Sequence, residues 1–367
     1  MKIALIHERF RPDGGGLERH LHAFSAALAE RGHEVHVVTA DEAPGALPPG
    51  VELHQVPLVT RSKKARLRLF AERSPAVVRK LGVDRSIGLG RTFEHDVHRA
   101  GAGCHAAFQV NLPWVKRMRA KNRLELELER RLYEGGGTRT FVVNSERVGE
   151  EVRKHYRIGD RPIQVIRTAV DSARFCPGDR ERALAAIDPS LNPEAPVFLF
   201  VSLDHKRKGL DLLLEAFRHL KGEAELWILG SAPKAQWRAL IDRHPRNRWI
   251  RRFETADPVA FYQAADFYVL PTRYDACANT TLQALASGTP GIVSSFDGAS
   301  EFIEPGESGW ILGPDLDSRQ LAELMDSALE LDSEEMTRIG RNARERVSAL
   351  TWERHLRNWE ELLQRQP

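Results

Sequence analysis

The stretch KIALIHERFRPDGGGLERHLHAFSAALAERGHEVHVVT, residues 2–39, decides the class of the fold. It begins with a short apolar run, continues through three consecutive glycines, and then repeats apolar residues at helical spacing until Gly32. The final VHVVT again has the composition of a buried strand. A strand, a turn, a helix and a second strand in this order form a βαβ unit, in which both strands are parallel. The stretch therefore predicts an α/β protein built on a parallel sheet.

The same alternation continues along the chain in two successive series. Strands of the first series are predicted at VELHQVP, FVVNS and PIQVIRT, and those of the second at FLFVSL, ELWILG, RWIRRF, FYVLP and GIVSS. We expect two Rossmann-like domains that face each other across a cleft, residues 1–172 and 173–367, with the last helix packing back on the N-terminal domain. Ligands of such sheets bind at the carboxyl ends of the strands.

Composition limits the classes of protein to which the chain can belong. The sequence has 367 residues, of which 42% are hydrophobic and 29% charged, and no apolar run reaches the roughly 18 residues that a membrane helix needs. The apolar N-terminal run is too short and too soon followed by charges for a signal peptide. Cys104, Cys176 and Cys277 form no disulfide or zinc pattern, which favours a cytoplasmic protein with reduced thiols.

Charge is distributed unevenly between the two halves. Residues 1–175 hold 31 Lys and Arg against 21 Asp and Glu, a net charge of +10, and the rest of the chain has a net charge of −7. Two segments, 60–80 and 115–123, carry much of the excess. This asymmetry predicts an anionic partner for the first half. Nucleic acid is not expected, because neither segment has the interleaved aromatic residues on which bases stack.

The first basic segment is a candidate contact for a membrane or an acceptor. Lys63, Lys64, Arg66 and Arg68 would attract anionic lipid, and apolar neighbours such as Phe70 would enter the interface. Two alternatives remain open: a solvated basic loop, or a loop that contacts only phosphates on the sugars of an acceptor.

Two glycine-containing turns follow predicted strands and precede predicted helices. In the first, Gly15 and Gly16 would let a phosphate approach the backbone, although a plain flexible turn has the same composition. In the second, HKRKG at 205–209, three cations precede a helix N-terminus, which favours an anion site over a solvated basic turn.

A third candidate is YDACANTTLQALASGTP, residues 274–290. Asn or Thr at a helix start is often a cap, because the first backbone N–H groups lack partners. The same N–H groups are also able to hold an anion. Asp275 and the polar face of the helix that contains Gln283 would then contact the same ligand. The carboxylate of Asp275 would bind sugar hydroxyls, and the amide of Gln283 would bind a ribose.

Taken together, these motifs resemble glycosyltransferases of family 4, which have two Rossmann-like domains in the GT-B arrangement. The matching segments run from end to end of the chain: the glycine-rich loop, ERGHEVHVVT, VVNSERV, IRTAVDSARF, the KG turn, 275–290 and GASEFIEPGESGWIL. Within the family, the chain looks most like bacterial lipopolysaccharide core glycosyltransferases, including heptose glucosyltransferases.

The resemblance implies a donor site for a nucleotide-diphosphate sugar. Asp275 and Gln283 stand where the family has two glutamates. Asp275 keeps the negative charge on a side chain that is shorter by one methylene group, whereas Gln283 is neutral. Arg207 and Lys208 would neutralise the diphosphate, and Glu301 would lie in a neighbouring loop. The implied donor-binding residues are Gly15, Gly16, Arg207, Lys208, Asp275, Asn279, Thr280, Thr281, Gln283 and Glu301.

The resemblance also implies a catalytic set of His105, Arg207, Lys208 and Asp275. His105 corresponds to a position near the transferred sugar, whereas the sequence alone favours a structural histidine. Some relatives have an aspartate where Ala102 stands here. Retention at the anomeric carbon is implied, with the leaving phosphate as base.

No metal or other cofactor is expected, because side chains supply the positive charge. The pair Asp315 and Asp317 looks superficially like a metal motif but is predicted to cap a helix. Two other functions remain open: a sugar-nucleotide epimerase of the same architecture, and a sugar-nucleotide-binding protein without catalysis. We expect a cytoplasmic enzyme, peripheral on the inner membrane face, that moves a hexose from a UDP-sugar to a glycan or lipid-linked acceptor.

Overall fold

The computed structural model describes residues 1–12, 14–42, 47–112, 114–230, 235–254 and 257–365. These residues form two compact units. The first contains residues 1–167 together with residues from 355 onward, and the second contains residues 168–354. The sequence-based division was between residues 172 and 173.

The described part of the first unit is organised around one parallel sheet of seven strands. The sheet order is β5-β3-β1-β6-β7-β8-β9, and β2 and β4 form a separate short pair. Strand β1 is buried from Ile3 to Ile6, as expected when helices cover both faces of a parallel sheet. The strands are β1 (Lys2–Ile6), β2 (Arg9–Phe10), β3 (Glu34–Thr39), β4 (Asp41–Glu42), β5 (Val51–Gln55), β6 (Arg85–Gly88), β7 (Val97–Arg99), β8 (Thr140–Val143) and β9 (Ile163–Val165).

The helices of this unit connect successive parallel strands. Helix α1 buries Leu21, Phe24 and Leu28, which are among the residues whose spacing predicted it. The helices are α1 (Gly16–Glu30), α2 (Lys63–Leu81), α3 (His105–Val110), α4 (Trp114–Arg117), α5 (Ala120–Glu134) and α6 (Glu146–His155).

The second unit has its own parallel sheet, in the order β12-β11-β10-β13-β14-β15. Its strands are β10 (Val197–Ser202), β11 (Glu225–Gly230), β12 (Ile250–Phe253), β13 (Phe267–Leu270), β14 (Gly291–Ser294) and β15 (Gly309–Leu312). Its helices are α7 (Arg180–Ile187), α8 (Leu210–His219), α9 (Ala235–Asp242), α10 (Val259–Ala264), α11 (Asn279–Ala286), α12 (Ser318–Leu329) and α13 (Ser333–Val347), with short 3-10 turns at Asn247–Trp249 and Gly298–Phe302.

In both sheets the chain starts at a central strand, builds outward to one edge and then reverses to the other side. This reversal is the topological switch point of a Rossmann-like sheet, and it lies at β1 and β6 in the first unit and at β10 and β13 in the second. The predicted α/β class with two Rossmann-like domains is therefore confirmed. Ligand sites are expected beyond the carboxyl ends of these strand pairs.

The last described helix, α14 (Trp352–Arg365), belongs from His355 onward to the first unit. Trp359 is fully buried against Phe24 of α1, with ring centroids 5.3 Å apart. Glu360 accepts two hydrogen bonds from Arg31, and His355 Nδ1 bonds the carbonyl of Arg167 at 2.7 Å. None of the described helices has the length and apolarity needed to cross a bilayer.

Candidate functional site

The switch point of the second sheet carries the HKRKG turn. The turn follows β10, and Gly209 has a φ of +83°, a left-handed conformation that glycine adopts without strain. A Cβ atom at this position would lie 2.0 Å from the carbonyl oxygen of Pro271, which follows β13. Glycine is therefore required here, because the two loops at the switch point are in direct contact. This contact brings the turn against the loop that contains Asp275.

Asp275 forms ion pairs with both of the cations predicted to bind a diphosphate. Its Oδ2 atom lies 2.6 Å from Nη1 of Arg207 and 2.6 Å from Nζ of Lys208. The side chains of Asp275 and Lys208 are only 15% and 10% exposed. Burial alone would raise the pKa of Asp275, but the charges of Lys208 and Arg207 outweigh it and hold this pKa at about 2. The site therefore holds two cations and one ionised carboxylate at neutral pH.

Asp297 fixes the loop between Asp275 and helix α11. It is fully buried, and its carboxylate accepts hydrogen bonds from the backbone N–H of Ala278 and Ala299 and from the hydroxyl of Thr281 at 2.6 Å. Burial, with the nearby charge of Asp275, raises the pKa of Asp297. The sequence analysis missed this residue. Its position after a strand and just before Gly298–Phe302, where it caps a helical turn, was the available signal.

Helix α11 begins at this loop without a side-chain cap among the described residues. Its N-cap position is Ala278, whose side chain has no acceptor, so the backbone N–H groups of Asn279 and Thr280 remain available for an anion. The alternative interpretation, in which Asn279 caps the helix, does not hold, because Asn279 is the first helical residue. The anion-binding role of these N–H groups stays a prediction.

The polar face predicted on α11 is partly occupied by protein contacts. The Thr280 hydroxyl accepts a 2.7 Å bond from Tyr268, and the amide oxygen of Gln283 accepts a 3.3 Å bond from Tyr262. Gln283 keeps its two amide hydrogens for a ligand. Glu301 lies in the same unit, in the 3-10 turn Gly298–Phe302, and is half-buried.

In the first unit, the predicted glycine loop leads directly into helix α1. Gly15 occupies the N-cap position and Gly16 is the first helical residue, and no side chain in the described region caps the helix. Neither glycine has a positive φ, so unusual backbone conformation does not explain them. Their role next to a donor diphosphate stays a prediction.

A cavity of about 980 Å³ opens at the carboxyl ends of the first sheet. The described residues that line it include nine Lys and Arg side chains against five Asp and Glu, so its lining carries a net positive charge. Arg61, Lys63 and Lys64 line it and form no ion pair with any described residue. The sequence did not predict this cavity, because the Lys and Arg residues that line it are dispersed between positions 9 and 121 of the chain.

His105 is the first residue of α3 and is held by two glutamates of α5. Its backbone N–H donates to Glu129 at 3.0 Å, and its Nε2 atom lies 3.1 Å from Glu125. Burial, assisted by the charge of Arg91, lowers the pKa of His105 to about 4 although Glu125 favours the charged form. His105 is therefore neutral at neutral pH. Glu125 and Glu129 also line the cavity, and their four-residue spacing on a helix was the signal that sequence reasoning overlooked.

The structure corrects the prediction for the basic segment 60–80. The segment forms helix α2, and Phe70 is 1% exposed in the core, so it does not reach a membrane. Arg66 turns inward to the carboxylate of Glu8 and the carbonyl of Ala40. Arg68 pairs with Glu127 at 2.9 Å. Only Lys63 and Lys64 of the four predicted cations remain exposed without an ion pair in the described part of the chain.

The aspartate motif near residue 315 has the predicted structural role. Asp317 caps helix α12 and accepts the backbone N–H groups of Arg319 and Gln320 at 2.7 and 2.9 Å. This cap explains the lowered pKa of Asp317 without any ion.

Comparisons with known proteins identify the family to which the two units belong. Residues 14–174 match the family model of glycosyltransferase family 4, and residues 185–346 match that of glycosyl transferases group 1. The chain is 28% identical over 296 residues to a probable transglycosylase of Burkholderia thailandensis, which covers 80% of this chain and 77% of the relative. It is 23% identical to the lipopolysaccharide glucosyltransferase WaaG of Escherichia coli, with 86% of each chain covered.

Solved structures show the same fold. WaaG, a glycosyltransferase involved in lipopolysaccharide biosynthesis, superposes with a TM-score of 0.84 at 22% identity and 98% coverage of both chains. HepE of Anabaena in complex with UDP-glucose has a TM-score of 0.75 at 15% identity, with 99% of both chains covered. The two family models together span most of the chain and coincide with its two Rossmann-like units. The chain therefore belongs to the GT-B glycosyltransferases of family 4 and resembles bacterial lipopolysaccharide core glycosyltransferases.

Proposed function

We propose that the protein transfers a hexose, with retention of configuration, from a UDP-sugar to a glycan or lipid-linked acceptor of the lipopolysaccharide core type. The observation that carries the proposal is the pairing of Arg207 and Lys208 with Asp275 beside the uncapped start of α11. Two cations and free N–H groups provide the charge and hydrogen bonds that a diphosphate requires. The UDP-glucose complex of HepE supports this class of donor.

Donor binding would rearrange the ion pairs. The diphosphate competes with Asp275 for the charges of Lys208 and Arg207, and the carboxylate then becomes available to a hydroxyl of the donor sugar. As the bond between the anomeric carbon and the phosphate oxygen breaks, negative charge grows on the phosphate. Fixed cations stabilise this charge more in the transition state than in the bound donor, which is the condition for catalysis.

The acceptor would react at the same anomeric carbon. Its hydroxyl attacks the anomeric carbon from the face that the phosphate leaves, and its proton passes to the departing phosphate oxygen. Atoms and charge then balance without a covalent enzyme intermediate. Neutral His105 would orient the donor sugar by hydrogen bonding rather than act as a charged acid.

The cavity of the first unit would hold the acceptor. Its volume of about 980 Å³ suits several sugar rings, and its cationic lining favours an acceptor that carries phosphate or carboxylate groups. Lys63 and Lys64, exposed and free of ion pairs within the described residues, would attract these groups.

An exposed apolar patch would hold the enzyme on the membrane that carries the acceptor. Val110, Trp114, Val115 and Met118 are each more than half exposed, with Trp114 at 75%. Cations are interleaved with them in the segment 115–123. Apolar side chains next to Lys and Arg fit an anionic bilayer surface, in which Trp occupies the headgroup region. We therefore propose this patch, in place of the buried Phe70, as the apolar membrane contact. Such a contact would support a peripheral location on the cytoplasmic face of the membrane.

A vesicle assay tests the membrane contact. We expect co-sedimentation with vesicles of anionic phospholipid, weak binding to neutral vesicles, and release by salt. The double variant Trp114→Ser, Met118→Ser should lose binding, and Leu240→Ser, which removes an exposed leucine of α9 in the second unit, should retain it. Equal binding by the double variant and the parent would contradict the proposed contact.

A donor panel tests the reaction itself. The protein is incubated with sugar nucleotides, with and without lipopolysaccharide core acceptors, and the products are analysed by mass spectrometry and by NMR of the new anomeric linkage. Transfer with retention is expected. Interconversion of the sugar nucleotide without acceptor would indicate the epimerase instead, and binding without turnover would indicate the non-catalytic binding protein.

A further inference from the structure

Two strands at the edge of the first sheet place three possible metal ligands on one face. Strand β5 is the edge strand and pairs in parallel with β3, with His36 opposite Glu52 and Val38 opposite His54. Because side chains alternate along a strand, Glu52 and His54 project to the same side of β5. His36 on the neighbouring strand faces this pair.

The ligand atoms of these residues converge on one point. Nδ1 of His36 lies 2.8 Å from Nε2 of His54 and 3.4 Å from Oε2 of Glu52, and Nε2 of His54 lies 3.8 Å from the same carboxylate oxygen. Four zinc ligands at about 2.0–2.1 Å in a tetrahedron are separated by about 3.3 Å. The three separations lie on both sides of this value. An ion would require rotation of Glu52, whose side chain is 66% exposed, and of His54, whose side chain is 26% exposed.

A fourth residue holds the buried histidine in the orientation that a metal needs. The other ring nitrogen of His36, Nε2, lies 2.9 Å from a carboxylate oxygen of Glu34. A carboxylate on the outer nitrogen fixes the tautomer of a ligating histidine and makes its inner nitrogen more basic. With Nε2–H donating to Glu34, Nδ1 of His36 has a lone pair directed toward His54. His36 is 2% exposed, and its ring is therefore fixed by packing as well.

We propose that His36, Glu52 and His54 bind a divalent transition metal of the zinc class, with water as the fourth ligand. Two imidazoles and one carboxylate are ligands that zinc accepts. The 2.8 Å contact between the two imidazole nitrogens requires one shared proton, which the metal would displace.

The bound ion would cross-link the edge strand β5 to β3. An edge strand is held by a neighbouring strand on one side only and exposes unpaired backbone groups on the other. Lys2 also approaches the cluster through a 3.3 Å ion pair with Glu34, and its positive charge opposes the metal to a limited degree. The sequence analysis found no zinc pattern. The spacing H-x15-E-x-H does not indicate a metal site until the strand register places His36 opposite Glu52.

Metal titration of the chelator-treated full-length protein tests the proposal. We expect one equivalent of Co²⁺ to give the visible absorption of a tetrahedral site, and one equivalent of Zn²⁺ to displace it and to raise the melting temperature. In Glu34→Gln the Zn²⁺ dissociation constant should increase about 10-fold, because only the orienting carboxylate is lost. In His54→Gln the increase should be larger, and the thermal shift should disappear.

The matched control is His219→Gln, which removes a histidine that pairs with a glutamate of the same helix in the second unit, at 3.3 Å. This variant should bind Co²⁺ and Zn²⁺ like the parent. Far-ultraviolet circular dichroism without metal establishes that the variants are folded. Retention of full affinity in His54→Gln, or equal weakening in His219→Gln, would overturn the proposal. Since the readouts are absorption and melting temperature, the result does not depend on the proposed transferase activity.

Discussion

Each of the two units has a buried ionisable side chain at its candidate site whose pKa is shifted by its surroundings, and these two side chains differ in charge state. In the first unit, burial and Arg91 keep His105 neutral, with a pKa of about 4, despite its contact with Glu125. In the second unit, Asp275 stays ionised with a pKa of about 2, because two cations contact it. The difference teaches that the number of opposite charges in contact, rather than burial alone, decides whether a buried group keeps its charge.

The largest expected effect tests the cations of the second unit. Lys208→Ala should leave the fold intact and lower kcat by about 100- to 1,000-fold, since a charge aimed at the departing phosphate is worth roughly 3–4 kcal/mol. Steady-state kinetics with a normal circular dichroism spectrum is the measurement. Lys206→Ala is the control, because Lys206 is an exposed cation of the same turn. Near-normal turnover of Lys208→Ala would remove Lys208 from the mechanism.

The next effect concerns the neutral histidine of the first unit. The pKa of His105 in the folded protein lies below its ordinary value of 6.5, so its contribution to stability is present above pH 6.5 and is lost as the pH falls toward 4. The difference in pKa corresponds to roughly 3 kcal/mol. Urea unfolding at several pH values should show that His105→Gln loses less stability than the parent between pH 6.5 and 4.

The corresponding control in the other unit is His219→Gln, which removes the histidine that pairs with Glu215 on α8. Parallel curves for the parent and His105→Gln would show that folding does not lower the pKa of His105. The proposed difference in charge state between His105 and Asp275 would then lack its explanation for His105.

A smaller effect is expected for the carboxylate of the second unit. The pKa of Asp275 is lowered by folding, so its stabilising contribution is present above its ordinary value of 3.8 and is lost as the pH falls toward 2. Asp275→Asn should lower the free energy of unfolding at pH 7 by roughly 2 kcal/mol. Asp204→Asn, which removes the 58% exposed partner of Arg207, should change it far less. Equal effects of the two substitutions would show that burial adds nothing to this ion pair.

The smallest expected effect is on activity after treatment with EDTA. Turnover should be unchanged, because Arg207 and Lys208 supply the positive charge that some transferases take from a metal. The melting temperature of the zinc-loaded protein should fall, because chelation would empty the site between β3 and β5. If turnover disappears with EDTA and returns with magnesium or manganese, the assignment of the cations is wrong.

The sequence predicted the sheets well because their strands are short apolar runs between turns. It missed β6 and β7, whose four and three residues include polar side chains such as Arg85 and His98. It also missed the two-residue strands β2 and β4 and the apolar strand β15. It also took the segment 60–80 for a surface element, because the charge density of the segment hides the helical face that buries Phe70. Polar residues explain why β6 and β7 were missed, but they do not explain β15, whose sequence GWIL is apolar.

The candidate site was predictable only in part for a related reason. Arg207, Lys208 and Asp275 follow strands that the sequence identifies, and parallel strands bring their carboxyl ends together. Their mutual ion pairing was not foreseeable, since it depends on the contact between Gly209 and Pro271. Three residues that the sequence did not reveal bind backbone N–H groups or another side chain: Asp297, Glu125 and Glu129. Such contacts produce no recognisable motif in a single sequence.

The assignment of α14 to the first unit has a consequence for synthesis on the ribosome. Phe24 is covered by Trp359, and Arg31 is bonded to Glu360, so residues made early in translation find these partners only after more than 300 further residues have been added. The second unit, residues 168–354, emerges completely before that. Vectorial folding would therefore complete the second unit first, while the nascent first unit presents an apolar surface to chaperones until the final helix arrives.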